Sequence, residues 1–200
     1  MRTALLCFTL FAPAFLFAQQ PTKSQAAGAI SPARQELVTG FNSVAGRCLA
    51  LAKAVPEDKL SWRPMEGVRS FGEVFVHMAG STLLFCSYAG LKTPAGPAHD
   101  LAAVYMKRGF ELPEIFAVEA GIKSKDKIVE IMDQAFHQPT DLIRGMADSD
   151  LEKPIQFFQQ SITQRRLLVL MSEHLSEHLG QAIAYARTNQ IVPPWSRKPE

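Results

Sequence analysis

Three of the five histidines in this chain, His77, His174 and His178, fall on the inward stripes of sequence segments with helical periodicity. His174 and His178 are four residues apart, a spacing that stacks two imidazoles on one helix face within reach of a single cation. A third imidazole from a neighbouring helix, His77, completes a three-nitrogen site with positions open for water or substrate. A lone inward histidine is satisfied by one hydrogen bond, whereas three buried without a shared partner need three separate polar arrangements in an apolar interior. His99, in a Gly/Pro-rich stretch, and His137, just before Gln138-Pro139, lie off these stripes and are expected to face solvent or end a helix.

Residues 174–178 spell His-Leu-Ser-Glu-His, which also meets the H-x-x-E-H pattern of inverted zinc peptidases and makes Glu177 a candidate general base. Those enzymes take a further acidic ligand well downstream. The only acid after His178 is the terminal Glu200, so the peptidase is kept as a minor alternative and Glu177 as a weak catalytic candidate on the solvent side.

Positioning the three imidazoles requires helices, and the sequence supplies four long ones. The first runs from Pro32 to about Lys53, with Leu37, Phe41, Val44, Ala45, Cys48 and Leu51 recurring at three and four. Pro56 ends it, and a short helical turn follows. The second begins at a capping box, Ser70 with Glu73, and its stripe runs Val74, His77, Met78, Ser81, Leu84, Phe85, Tyr88. The third starts after Ser124 with Ile128, Ile131, Met132 and Ala135 inward, and Pro139 is expected to kink or interrupt it. A short apolar extended stretch, Ile155 to Phe158, precedes the fourth helix, Gln164 to Thr188, whose inward residues are Leu167, Met171, His174, Leu175, His178, Ala182 and Tyr185.

Between helices two and three, residues 90–121 carry Pro94, Gly96, Pro97, Gly109 and Pro113 and are expected to form a long excursion with one short helix. Tyr88, Tyr105, Glu111 and Glu114 are its candidate pocket contacts. The expected architecture is therefore all-α, a four-helix bundle with a long 90–121 excursion.

With 47% hydrophobic and 20% charged residues, the 200-residue composition is that of one globular domain. A formal charge of +2 with no basic block leaves no electrostatic footprint for nucleic acid. Residues 1–18 have the layout of a secretory signal peptide, with Arg2, an apolar run from Ala4 to Phe17 and polar Gln19-Gln20 beyond. The run is shorter than the roughly 20 residues a spanning helix needs, so cleavage near Ala18 and no stable membrane anchor are expected. Residues 19–30 read as a flexible leader, and the mature protein is expected to be exported, periplasmic or extracellular. Cys48 and Cys86 are expected to stay free thiols, because antiparallel helices place them at heights too far apart for a bridge. A small-molecule substrate and a homodimer are left open.

The run from Ser172 to Ser196 resembles the last helix and tail of DinB-like proteins. So does Pro56-Glu-Asp-Lys-Leu-Ser-Trp-Arg-Pro64, followed by Ser70-Phe71-Gly72-Glu73 and His77. The resemblance covers most of residues 31–196. It implies a four-helix bundle domain with a divalent metal, nickel or zinc, held by one histidine of the second helix and two of the fourth, which match His77, His174 and His178. Relatives of this kind include thiol-dependent transferases or isomerases, hydrolases and proteins without an assigned reaction. The expected function is that of an exported metal-binding protein, a metal-dependent hydrolase or transferase of unstated substrate, with a non-catalytic metal-binding or stress-related protein as the alternative.

Overall fold

The computed structural model describes residues 30–107, 109 and 111–197. Residues 1–29, where the sequence leads us to expect a signal peptide and most of a flexible leader, lie outside the described residues.

Helix α1, Pro32–Ala54, starts where Ser31 accepts a hydrogen bond from the Arg34 backbone N–H and Pro32 occupies the first turn. Helix α2, Phe71–Tyr88, has the full capping box: Ser70 Oγ accepts from the Glu73 N–H at 3.3 Å, and Glu73 Oε2 accepts from the Ser70 N–H at 2.7 Å. Such a cap is worth about 1 kcal/mol and fixes the residue at which the helix begins, hence the angle at which it presents His77 two turns later.

Helix α5, Lys125–Gly145, is capped by Ser124 and runs without interruption through Pro139. The expected break at that residue does not occur. Proline removes a single backbone donor, and the burial of Ile131, Met132, Ala135, Phe136 and Ile143 on both sides of it holds the helix together. Helix α6, Gln164–Thr188, is capped by Thr163, with the bounds the sequence indicates.

These four form the bundle: α1 packs against α5 and α6, and α2 packs against the same two, so the consecutive helices α1 and α2 lie on a diagonal. The core is built from their apolar stripes, including Phe41, Leu51, Phe75, Met78, Leu83, Met132, Leu167 and Met171. The buried face of α1 is turned slightly from the expected one, with Val38 and Ala52 buried and Leu37 and Val44 half-buried. Cys48 and Cys86 are free and buried, and burial pushes the Cys48 thiol up to about 12 and the Cys86 thiol further in the same direction.

The 90–121 excursion contains two helices rather than one, α3 at His99–Tyr105 and α4 at Leu112–Gly121. Their presence follows from α2, which is buried nearly all round, and a helix apolar on every face needs a second layer over the side the bundle leaves open. Both α3 and α4 pack on α2. The stretch before α6 is a β-hairpin, β1 at Pro154–Phe157 and β2 at Gln160–Thr163, antiparallel with Ile155 opposite Ile162. Among the described residues no helix is long and apolar enough to cross a membrane.

Candidate metal centre

His77 leaves α2, and His174 and His178 leave consecutive turns of α6, where these neighbouring helices face each other. The ring centroids of His77 and His174 are each 4.5 Å from that of His178, and those two are 5.4 Å from each other. One ligand nitrogen from each lies within 4.8 Å of the other two. A single ion takes imidazole nitrogens at about 2.0–2.1 Å, so small side-chain rotations suffice to bring all three onto one centre.

Each imidazole is in a state suited to that use. His77 Nδ1 is 2.8 Å from Glu119 Oε1 and 2.9 Å from the Tyr105 hydroxyl. An ionised carboxylate only accepts, so Nδ1 carries the proton and Nε2 keeps its lone pair. His178 Nδ1 donates to Gln181 Oε1 at 2.9 Å, which leaves its Nε2 in the same condition. His174 Nε2 is buried and has no hydrogen-bond partner in the protein. A buried polar nitrogen without a partner costs about 1–3 kcal/mol, and its position beside two further lone pairs is what a three-histidine ligand set requires. Burial, with the neighbouring His178, His77 and Arg69, depresses the His174 imidazole to about 4. Burial also lowers His178, against the opposing hydrogen bond to Gln181.

Behind His77 the polar groups are linked. Burial pushes the Glu119 carboxyl up, but hydrogen bonds from His77, Arg69 and Tyr105 outweigh it and hold the group below the usual range. Arg69 donates twice to this carboxylate, from Nε at 2.7 Å and from Nη2 at 3.1 Å, and its guanidinium stacks on the Phe116 ring at 4.9 Å. Tyr105 donates its hydroxyl to Glu119 as well, and burial together with that negative charge raises its pKa. Behind His178, Gln181 Nε2 donates to the Tyr185 hydroxyl at 2.9 Å, which in turn donates to the backbone carbonyl of Arg69 at 3.3 Å. Arg69 thus anchors His77 through its side chain and His178 through its main chain.

Of the pocket contacts expected from the excursion, Tyr105 joins the site. Tyr88 packs on Phe157 and Phe158 of the hairpin. Glu111 and Glu114 sit at the exposed start of α4, where Glu114 pairs with Lys107 at 2.9 Å. Glu177 is exposed and lines an open groove with Glu36, Leu37 and Arg165, on the side of α6 turned to α1. His99 opens α3 beside Asp100 with its side chain 58% exposed. His137, 71% exposed, lies along α5 and bonds to the Asp133 carbonyl, rather than ending a helix.

Sequence reasoning missed Glu119, Arg69 and Gln181. The available signal for Glu119 is its place four residues after Ile115, which puts a carboxylate on the buried face of a short apolar helix.

Residues 41–182 match the family model described as the DinB superfamily, a span that contains all three histidines. Among solved structures, a DinB-like protein from Bacillus cereus is similar at 15% identity and a TM-score of 0.64, over 80% of this chain and 95% of that one. The DinB-like protein YjoA from Bacillus subtilis is similar at 19% identity and a TM-score of 0.56, over 82% and 99% of the two chains. YfiT from Bacillus subtilis, described as a probable metal-dependent hydrolase with an unusual four-helix bundle topology, is similar at 14% identity and a TM-score of 0.56, over 86% and 94%. No curated protein matches the chain.

Proposed function

The chain belongs to the DinB superfamily, and on that premise we propose that it is a metal-dependent hydrolase or transferase acting on a small molecule, with His77, His174 and His178 holding one divalent ion. Support comes first from the buried, partnerless Nε2 of His174, set between two imidazoles whose other nitrogens are already bound away from the cluster. Three neutral imidazoles suit several first-row ions, nickel and zinc among them. Such an ion, when bound, supplies a Lewis acid that polarises a water molecule or a substrate heteroatom.

The protein's own groups have separable tasks. Glu119 fixes the tautomer and ring orientation of His77 and makes its free nitrogen more basic. Arg69 and Tyr105 keep that carboxylate anionic and in place, and Gln181 does for His178 by a neutral hydrogen bond what Glu119 does for His77. The same proposal takes the protein to be exported after cleavage near Ala18, on the layout of residues 1–18 alone; the intact mass of the exported protein tests it, and recovery of Met1 there overturns it.

Elemental analysis of untagged protein tests the site. His77→Ala, His174→Ala and His178→Ala are each expected to lower the metal per chain with helical content nearly intact, and His99→Ala and His137→Ala to leave it unchanged. Full metal retention in His77→Ala together with loss in His99→Ala overturns the assignment.

A further inference from the structure

A row of aromatic rings leads from the histidine cluster to solvent. The Phe85 ring lies 5.7 Å from His174, and it stacks on Phe157 at 5.2 Å with only 21° between the planes. Tyr88 meets Phe157 edge-on at 4.9 Å, and Phe158 meets Phe157 at 4.7 Å and Tyr88 at 5.9 Å. Phe85 is 8% exposed and Phe158 is 58% exposed, so the row grades from core to surface. Two of its members come from α2 and two from the β-hairpin, which meet nowhere in the sequence.

The backbone at the outer end is informative. Phe158 occupies the two-residue turn between β1 and β2 with φ +52°. Tight hairpin turns favour glycine, asparagine or aspartate at such positions, because the left-handed backbone crowds Cβ against a carbonyl oxygen, a clash glycine avoids and a short polar side chain offsets by local hydrogen bonding. Glycine would make the same turn with less strain, and a polar residue would leave less apolar surface in water. What phenylalanine alone contributes is its ring, laid against Tyr88 and Phe157. Strained residues of this kind cluster at ligand-binding sites.

We infer that the hairpin tip and the aromatic row behind it form the wall along which the three-histidine site receives the apolar, ring-bearing end of a small-molecule substrate. The inference rests on the metal-site reading of His77, His174 and His178. A substrate presenting a heteroatom to that cluster, with a planar ring a few bonds away, lays the ring along the side of the row that Phe85, Phe157 and Phe158 form by packing on one another. Flat rings in offset or edge contact gain more than the area they bury, so the wall selects for aromatic over short aliphatic substrates. Phe85, in contact with both His174 and Phe157, sets the angle between the reacting end and the ring.

The test uses the full chain loaded with Zn²⁺, and two probes that share one chelating head, acetohydroxamate and phenylacetohydroxamate. Zinc per chain is read by elemental analysis and probe affinity by calorimetry. The unsubstituted protein is expected to bind the phenyl probe about tenfold more tightly than the methyl probe. That ratio is expected to fall toward parity in Phe158→Gly and in Phe157→Leu, with helical content retained. Because each variant serves as its own reference, a general loss of affinity leaves the ratio interpretable, and Phe157→Leu keeps an apolar side chain if the turn proves sensitive. Zinc retained with equal affinity for the two probes, or with the ratio unchanged in both variants, overturns the wall alone. Failure to retain zinc overturns the three-histidine reading and the wall with it.

Discussion

Glu119 Oε1 lies 2.8 Å from His77 Nδ1, across 42 residues of sequence, and the carboxylate is 1% exposed. It is the only buried acid among the described residues, and every neighbour that compensates its charge belongs to the cluster or supports it. Substitution by Gln keeps the shape and removes the charge. Glu119→Gln is therefore expected to weaken divalent-metal affinity about 10–100-fold, the usual cost of losing a ligand's hydrogen-bond partner, with the circular dichroism spectrum unchanged. Metal competition titration against a chromophoric chelator reads the effect, and an affinity equal to that of the unsubstituted protein removes Glu119 from the site.

Gly80 faces Tyr105 so closely that a Cβ there would stand 2.6 Å from the ring's Cδ2 and nearer still to its edge. Gly80→Ala is expected to push the ring out of its place, at about 1–3 kcal/mol as an overpacked core substitution, and to weaken metal binding through the lost Tyr105 contact with His77. Gly40→Ala, with open space around its Cβ, is the matched control on α1. Urea midpoints and metal affinity should both move for Gly80 and neither should fall for Gly40.

Because His174 Nε2 is buried without a partner in the metal-free protein, replacing it with an apolar side chain relieves a penalty. His174→Leu is expected to raise the stability of the metal-free chain by about 1–2 kcal/mol and to remove metal binding. A fall in the denaturation midpoint would mean that the nitrogen is satisfied in solution.

The same residue gives the metal-free protein a pH dependence. The folded-state value of about 4 lies below the ordinary imidazole value of 6.5, so between those limits the unfolded chain binds more protons than the folded one. Stability is then complete above pH 6.5 and is lost as pH falls toward 4, by about 2 kcal/mol once solvent screening of the partly exposed ring is allowed for. His178, shifted in the same direction, adds to this slope. His174→Gln should flatten the dependence, as read from urea midpoints at pH 7 and pH 4.5, and an unaltered slope in that variant would assign the titration elsewhere.

The long elements were legible because their signals are local and repeated. Helix α6 shows its bounds in sequence, where Thr163 and Asn189 flank seven turns of apolar periodicity, and the Ser70–Glu73 box marks the start of α2. The three histidines stood out for the same reason, each lying on such a stripe. Tyr105 emerges only as one of four candidate contacts of the excursion and Glu119 not at all, since α3 and α4 span 7 and 10 residues and show only two or three turns of any pattern. Their partner is nonlocal: what calls for a second layer is α2, whose buried residues run Phe71, Val74, Phe75, Val76, Met78, Ala79 and Leu83 with no polar face. The β2 strand was illegible because Gln160-Ser-Ile-Thr163 is mostly polar and runs directly into α6.

Arg69 supports two ligands by two different chemical means, and mutation reaches them unequally. The hold on Glu119 and His77 needs a guanidinium, so a single codon change can dissolve it. The hold on Tyr185, and through Gln181 on His178, needs only a carbonyl, which every amino acid carries. Drift at position 69 would thus loosen one ligand and leave the other aligned, so that a lineage could retune the His77 side of the centre while the α6 pair stays inherited intact.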